Sequence, residues 1–171
     1  TARDGTFTAK GTAQLSRLLA VGPAADLLAP ETALDLTARL NERKADIDGR
    51  ISSAALRLGI SGGIDLGASR YDGLQLAFVL LKPETVAPYV RGNGLRAQAR
   101  LDGEFRLPTV EYQANATSLA VNDIVIDALT LSGKARVDPD QIFIPVAGRA
   151  TRIRGLDTVA GGSLTDIRLN G

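Results

Sequence analysis

The sequence contains no cysteine, no histidine, no methionine and no tryptophan. Without cysteine there are no disulfides, no thiolate nucleophile and no cysteine-based metal site. Without histidine the chain lacks the commonest general base near neutral pH and the commonest metal ligand. Without methionine it lacks an initiator, so it reads as an excised segment or a processed chain. Aromatic residues make up 4% of it, so any apolar face must be built from Ala, Leu, Ile and Val, smooth and with few large anchors. No apolar run approaches the roughly 18 residues of a membrane span, and Leu15–Ala20 is far too short. A one-signed field is also missing. Twenty basic residues face nineteen acidic ones and are interspersed with them, which argues against nucleic acid as a partner. These absences predict a non-enzymatic chain with no cofactor and no metal.

What is present is period-2 alternation. In Leu95–Leu107, Leu95, Ala97, Ala99, Leu101, Phe105 and Leu107 fall on one parity, and Arg96, Gln98, Arg100, Glu104 and Arg106 on the other. That is a strand with one dry face, because a helix needs spacings of three and four to make a stripe. The same alternation predicts strands at Thr6–Lys10, Leu34–Asn41, Ser53–Ile60, Gly63–Ser69 and Gly73–Leu81, with turns at Glu42–Lys44, Gly62-Gly63 and Asp72-Gly73. Further strands are expected at Val110–Val121, Ile124–Leu131, Lys134–Val137, Gln141–Ala150 and Asp157–Leu169, the last broken near Gly161-Gly162. Asn122-Asp123 marks a turn. Helical turns are expected at Gln14–Val21, at Pro23–Leu28 and at Pro83–Val86, where Pro83 and Pro88 exclude a central strand. About a dozen strands at 4.8 Å spacing would extend about 55 Å.

An internal repeat underlies the pattern. Leu34–Asn41 (LDLTARLN) aligns with Leu95–Asp102 (LRAQARLD), Ser53–Leu58 with Ala116–Val121, and Ile64-Asp65 with Ile126-Asp127. The copies span about 30–81 and 82–146, and such self-similarity marks stacked, repetitive architectures.

Motifs for chemistry are weak. Gly59-Ile60-Ser61-Gly62-Gly63 fits a nucleophile elbow, but no histidine can take the serine proton and a strand follows where a helix is needed, so it reads as a hairpin turn. Gly92-Asn93-Gly94-Leu95-Arg96-Ala97 fits a dinucleotide fingerprint with the strand and helix order reversed, and reads as a turn. Asp46-Ile47-Asp48-Gly49 and Asp138-Pro139-Asp140 lack the later glutamate of a calcium loop and read as solvated turn acids. The apolar face remains. Pattern alone favours a sandwich core, since every sandwich strand alternates this way; the functional reading is an open groove for an aliphatic ligand.

The run Ala87-Pro88-Tyr89-Val90, Gly94-Leu95-Arg96-Ala97, Leu101-Asp102-Gly103, Leu107-Pro108-Thr109-Val110, Leu119-Ala120-Val121 and Ile126–Gly133 resembles the repeat of the TamB family. This is the inner-membrane component of the translocation and assembly module, among the AsmA-like bridge proteins of bacterial envelopes. The likeness covers about residues 82–138, and 30–81 more loosely. It implies an all-β fold: a long, twisted, mostly antiparallel meandering sheet curled into an open apolar groove, a β-taco, with one or two short helical turns. It also implies a periplasmic location, anchorage in the inner membrane through a part of the parent chain not present here, and phospholipid acyl chains as ligand. An outer-membrane barrel protein of the assembly machinery would be a protein partner. On that reading the groove is lined by Leu34, Leu36, Leu40, Leu56, Leu58, Ile64, Leu66, Leu74, Leu76, Phe78, Leu95, Ala97, Leu101, Phe105, Leu119, Val121, Ile142, Ile144 and Val146. The competing class is a structural or adhesive β-repeat, a closed solenoid or sandwich stalk that binds partners on its outer face.

Overall fold

The structure, a computed structural model, describes residues 6–16, 23–28, 31–137, 142–156 and 162–171. Alternating β-formers, joined from β2 to β5 by connections of two to four residues, give a meander: β1 (Thr6–Ser16), a helical turn α1 (Pro23–Leu28), β2 (Glu31–Asn41), β3 (Lys44–Ser53), β4 (Leu56–Asp65) and β5 (Arg70–Leu80). A 3₁₀ turn at Pro83–Thr85 follows, then β6 (Val90–Asn93), β7 (Leu95–Glu104), β8 (Thr109–Val121), β9 (Ile124–Val137), β10 (Ile142–Phe143), β11 (Ala147–Arg154) and β12 (Ser163–Asn170). All twelve strands join one open, antiparallel sheet in the order β1-β2-β3-β4-β5-β7-β8-β9-β11-β12. β6 and β7 lie end to end on β8 in one register (Asn93 opposite Ser118, Arg96 opposite Asn115). β10 and β11 share β9 in the same way (Ile142 opposite Val137, Ala147 opposite Ser132). The sheet is therefore ten strands wide, about 43 Å at 4.8 Å per step, narrower than a count of a dozen separate strands suggests.

Several sequence expectations need correction. Gly62-Gly63 and Asp72-Gly73 are not turns. β4 and β5 run through them, and the real turn is at residues 66–69. Gly73 (φ 69°) lies in a bulge of β5, one extra residue that shifts its register against both β4 and β7, whereas β4 runs unbroken against β3 through Gly62 (φ 127°). A Cβ on Gly62 would lie 2.5 Å from the Gly73 carbonyl oxygen, and the bulge bends β5 and increases its twist. Lys44–Ser53 is a full strand, so Asp46 and Asp48 are cross-strand partners of Arg39 and Thr37 rather than turn acids. Gln14–Ser16 belongs to β1, paired with Ala33–Glu31, not to a helical turn. The strand from Leu95 stops at Glu104. Gly103 (φ 94°) turns the chain, Leu107 N donates to Glu104 O at 3.1 Å, and Pro108 has no N–H to offer a ladder. Lys134–Val137 continues β9. Asp138-Pro139-Asp140, Arg17–Val21 and Asp157–Gly161 lie outside the described residues. Of the three repeat matches, Leu34–Asn41 and Leu95–Asp102 lie in strands that run the same way, β2 and β7, but two residues out of register, Leu34 sharing a row with Ala97. Ser53–Leu58 spans the β3–β4 connection whereas Ala116–Val121 lies within β8, and Ile64 ends a strand whereas Ile126 begins one.

A crease crosses the second half of the sheet. Gly94 (φ 64°), Ala128 (φ 52°) and Asp166 (φ 53°) adopt left-handed backbone in one transverse row. Thr117 and Thr151 are the row's members on β8 and β11. None of the five appears in the otherwise unbroken registers on either side. The apolar parity steps by three across the row: Leu95 to Gly92, Ala116 to Leu119, Leu129 to Ile126, Ala150 to Ile153, Ile167 to Leu164. In a regular strand residues three apart point to opposite faces. Here a Cβ on Gly92 would lie 3.0 Å from Leu95 Cδ1, on the same side. The crease thus keeps the apolar residues of both parities on one face, and Ala116 and Ala150 are buried beside it.

A small core closes one end of the first half. Ser53 Oγ donates to Leu27 O at 2.5 Å and accepts from the Ala55 and Leu56 amides at 3.1 Å, while Thr32 Oγ1 donates to Leu28 O. Thr32, Ala55, Leu56 and Pro83 are buried there. Elsewhere there is no second layer: among the described residues no strand packs substantially on any but its hydrogen-bonded neighbours. The chain exposes 11,768 Å², whereas a compact 17.9 kDa chain would expose about 8,000 Å².

Candidate functional site

The candidate site is the apolar face. The registers assemble it as transverse rows. Leu34, Ile51, Leu58, Phe78, Ala97, Ala114, Leu131, Gly148 and Leu169 form one row across β2 to β12. Leu36, Gly49, Ile60, Leu76, Ala99, Tyr112 and Gly133 form the next. Leu74, Leu101 and Val110 belong to a third, Leu40, Ala45, Ile64 and Tyr71 to a fourth, and Leu56, Leu80 and Leu95 to a fifth at the closed end. Most of these side chains are half-buried by their row neighbours and open above. Leu36 is 39% exposed although it lies within the sheet. The expectation of a sandwich core is therefore corrected: among the described residues no second sheet covers this face.

Relief within the face comes from its glycines. A Cβ on Gly49 would meet Leu36 Cδ1 at 2.8 Å and Ile60 Cγ2 at 3.0 Å, so the two large side chains lean over the gap. Gly133 lies under a strap formed by Ile144-Pro145-Val146, between β10 and β11. A Cβ there would meet the Pro145 carbonyl oxygen at 2.0 Å, and Tyr112 Oη donates to that oxygen at 2.6 Å.

The structure places Leu34, Leu36, Leu40, Leu56, Leu58, Ile64, Leu74, Leu76, Phe78, Leu95, Ala97 and Leu101 together on this face. The other expected lining residues sit differently. Leu66 is in the turn after β4, 52% exposed, its amide donating to Arg43 O at 2.7 Å. Phe105 is in the turn after β7, its ring edge-on to Tyr71 at 4.8 Å. Leu119 and Val121 lie beyond the crease, which brings them to the face of Ala116 despite their opposite parity. Ile144 and Val146 are in the strap rather than in a strand, Ile144 being 54% exposed and Val146 paired through its backbone with Gly171. Ile142 is in β10. Sequence reading omitted Ile47 and Ile51 because β3 was missed. Their signal was present: Ala45, Ile47, Gly49 and Ile51 alternate with Asp46, Asp48 and Arg50, masked by glycine in an apolar position.

The opposite face is polar and internally neutralised. Lys134 Nζ lies 2.6 Å from Glu111 Oε1, and Arg154 makes a bidentate pair with Asp127 at 3.0 and 3.1 Å. Asp102 accepts from Arg100 Nε and from the Gly73 amide, both at 2.8 Å, and so holds the β5 bulge. The hydrogen bond from Arg100 lowers the Asp102 pKa, with the Gly73 amide and the Arg100 charge adding to it, and the same pairing raises that of Arg100. A shallow depression of about 830 Å³ on this face is lined by Asp48, Arg50, Gln98, Arg100, Glu111 and Lys134, among others. Its mixed signs favour neither anions nor cations. Among the described residues no three acidic side chains converge on a metal position. No helix among the described residues is long and apolar enough to cross a membrane. What the apolar face can do is exclude water from an aliphatic surface laid on it, worth about 0.8 kcal/mol per fully buried methylene and roughly half that for contact on one side. In comparisons with known proteins the chain matches no family model, no curated protein and no solved structure.

Proposed function

We propose that this chain is a stretch of wall in a periplasmic bridge, anchored in the inner membrane through another part of its parent, that shelters phospholipid acyl chains on the way to the outer membrane. It works by apolar shielding and performs no bond chemistry. The observation that carries the reading is the uncovered aliphatic face, ten strands wide and backed by a neutralised polar face. Resemblance of residues 82–138 to the TamB repeat agrees with it, and assembly of outer-membrane proteins with a barrel partner is the family-level extension. A smooth Ala/Leu/Ile/Val surface binds a chain through many weak contacts, none strong enough to stop it sliding.

The test is in-cell photo-crosslinking with the parent protein. A photoreactive residue at Ala97, on the apolar face, captures phospholipid, and one at Gln98, its neighbour on the polar face, does not. Equal labelling at the two positions refutes the assignment. Leu101→Asp places a charge in the middle of the face and blocks lipid flux while the sheet stays folded; undiminished flux in a folded variant counts against a continuous wall.

A further inference from the structure

Charges of both signs are interspersed along the chain, but the registers sort them into transverse rows on the polar face. In most of these rows bases lie opposite acids. Asp35 faces Arg50, Arg39 faces Asp46, and Glu111 lies between Arg100 and Lys134. Beyond the crease Asp127 is paired with Arg154. One row is different. From β4 to β12 it carries Arg57, Arg96, Arg149 and Arg168, with the uncharged Val79, Asn115 and Thr130 between them. Its members on β1, β2 and β3 are uncharged as well, so the row contains no acid. All four arginines are exposed, and among the described residues none of them makes an ion pair. Arg149 and Arg168 stand directly opposite each other on neighbouring strands, a like-charge arrangement that destabilises a sheet. The rest of the face matches its charges and this row does not. A local rule broken without compensation inside the molecule points to compensation from outside it.

The shape of the row narrows the choice of anion. In the sheet order β12 is six steps from β4, so the row is about 29 Å long and one side chain wide. A broad anionic surface such as a membrane would also lie over the acids Asp48 and Glu111, two rows away at about 13 Å. A single-stranded nucleic acid needs aromatic side chains on which its bases stack, and the row has none. A narrow chain bearing carboxylates fits. We propose that this arginine row is a docking surface for an extended acidic protein segment of about nine residues, laid across the strands with its carboxylates on Arg57, Arg96, Arg149 and Arg168. A guanidinium is a planar fork that takes a carboxylate in bidentate geometry, and Asn115 and Thr130 between the arginines offer hydrogen bonds to the segment's backbone. The surface lies on the face opposite the lipid shelter and does not depend on that reading.

The experiment titrates the protein at low salt with a synthetic peptide of alternating glutamate and serine, nine residues long, read by NMR at the backbone amides and the arginine Nε–H groups. The signals of Arg57, Arg96, Arg149 and Arg168 move together and saturably, and binding weakens as salt is raised. Arg96→Gln weakens binding about two- to five-fold, the worth of one exposed charge pair, and the fourfold Arg→Gln variant, folded by its amide spectrum, loses it. Arg39→Gln, in a row that holds its own acids, changes it less than two-fold. A peptide with glutamine in place of glutamate does not bind. No shift at millimolar peptide, or equal weakening by Arg39→Gln and Arg96→Gln, overturns the proposal. So does tighter binding of an oligothymidylate of the same charge, or binding to phosphatidylglycerol vesicles that the fourfold variant loses, since either assigns the row to another class of partner.

Discussion

Ala128 is the sharpest place to test the crease, because it is an ordinary L-residue held at φ 52° in the middle of a fourteen-residue strand. Left-handed backbone crowds a Cβ against the following carbonyl and costs roughly 1–2 kcal/mol. Glycine removes that cost but loses more freedom on folding, about 0.4–1 kcal/mol. Ala128→Gly should therefore stabilise the fold by about 0.5–1 kcal/mol, a rise of about 1–4 °C in the melting temperature for a chain of this size. Ala77→Gly, at an exposed position of β5 without positive φ, pays only the second term and should lose roughly 0.5–1 kcal/mol. Ala128→Val adds β-branching in the left-handed region and should lose more than Ala77→Gly. The assay is the urea midpoint of each variant at constant m-value. Equal loss for Ala128→Gly and Ala77→Gly would refute the crease geometry, since it would mean that residue 128 sits in ordinary extended backbone.

Three further outcomes follow from named contacts. Tyr112→Phe removes the donor to Pro145 O and should cost about 1 kcal/mol, with faster amide exchange confined to the Ile144–Val146 strap and its β9 neighbours. Gly49→Ala forces Leu36 and Ile60 apart and should lower the urea midpoint by the equivalent of about 1–3 kcal/mol, whereas Gly11→Ala, in open space on β1, should not. The Asp102 pKa lies below its unfolded value because Arg100 and the Gly73 amide stabilise the carboxylate. Its contribution is thus fully present above the unfolded pKa near 3.9 and is lost as pH falls through the lower, folded value. Asp102→Asn should accordingly flatten the acid limb of the stability profile below about pH 4 without changing it at neutral pH by more than the solvent-screened worth of an exposed pair.

The architecture was legible in the sequence wherever apolar and polar residues alternated without interruption. Leu34–Asn41, Val110–Ala116 and Leu95 onward announce one dry face, and Glu42 and Asn122, both at positive φ, mark true turns. Glycine misled in two directions. Gly62 and Gly73 resemble hairpin turns, but their chirality-free backbone lets two continuous strands pass a bulge in β5. Gly49 and Gly133 look like gaps in the apolar stripe, yet they are places where Leu36, Ile60 or the Pro145 strap need the room of a side chain. The parity jumps at Ala116–Leu119 and Ile126–Leu129 resemble lost strand character because period-2 reasoning assumes extended backbone throughout. One left-handed residue in every second strand restores the common face, and Ala128 carries no sign of that conformation in its residue type. The openness of the face was likewise out of reach, since a sandwich strand and a trough strand share one pattern; only the absence of a covering layer separates them.

The central claim, that the aliphatic face and not the polar one receives acyl chains, is tested most directly by depth-selective quenching. The sequence has no cysteine, so single variants Ala97→Cys and Gln98→Cys can each carry one environment-sensitive fluorophore. Phospholipid brominated along its acyl chains should quench and blue-shift the probe at residue 97, with little change at residue 98. Equal quenching at both positions, or quenching at residue 98 alone, would contradict the account.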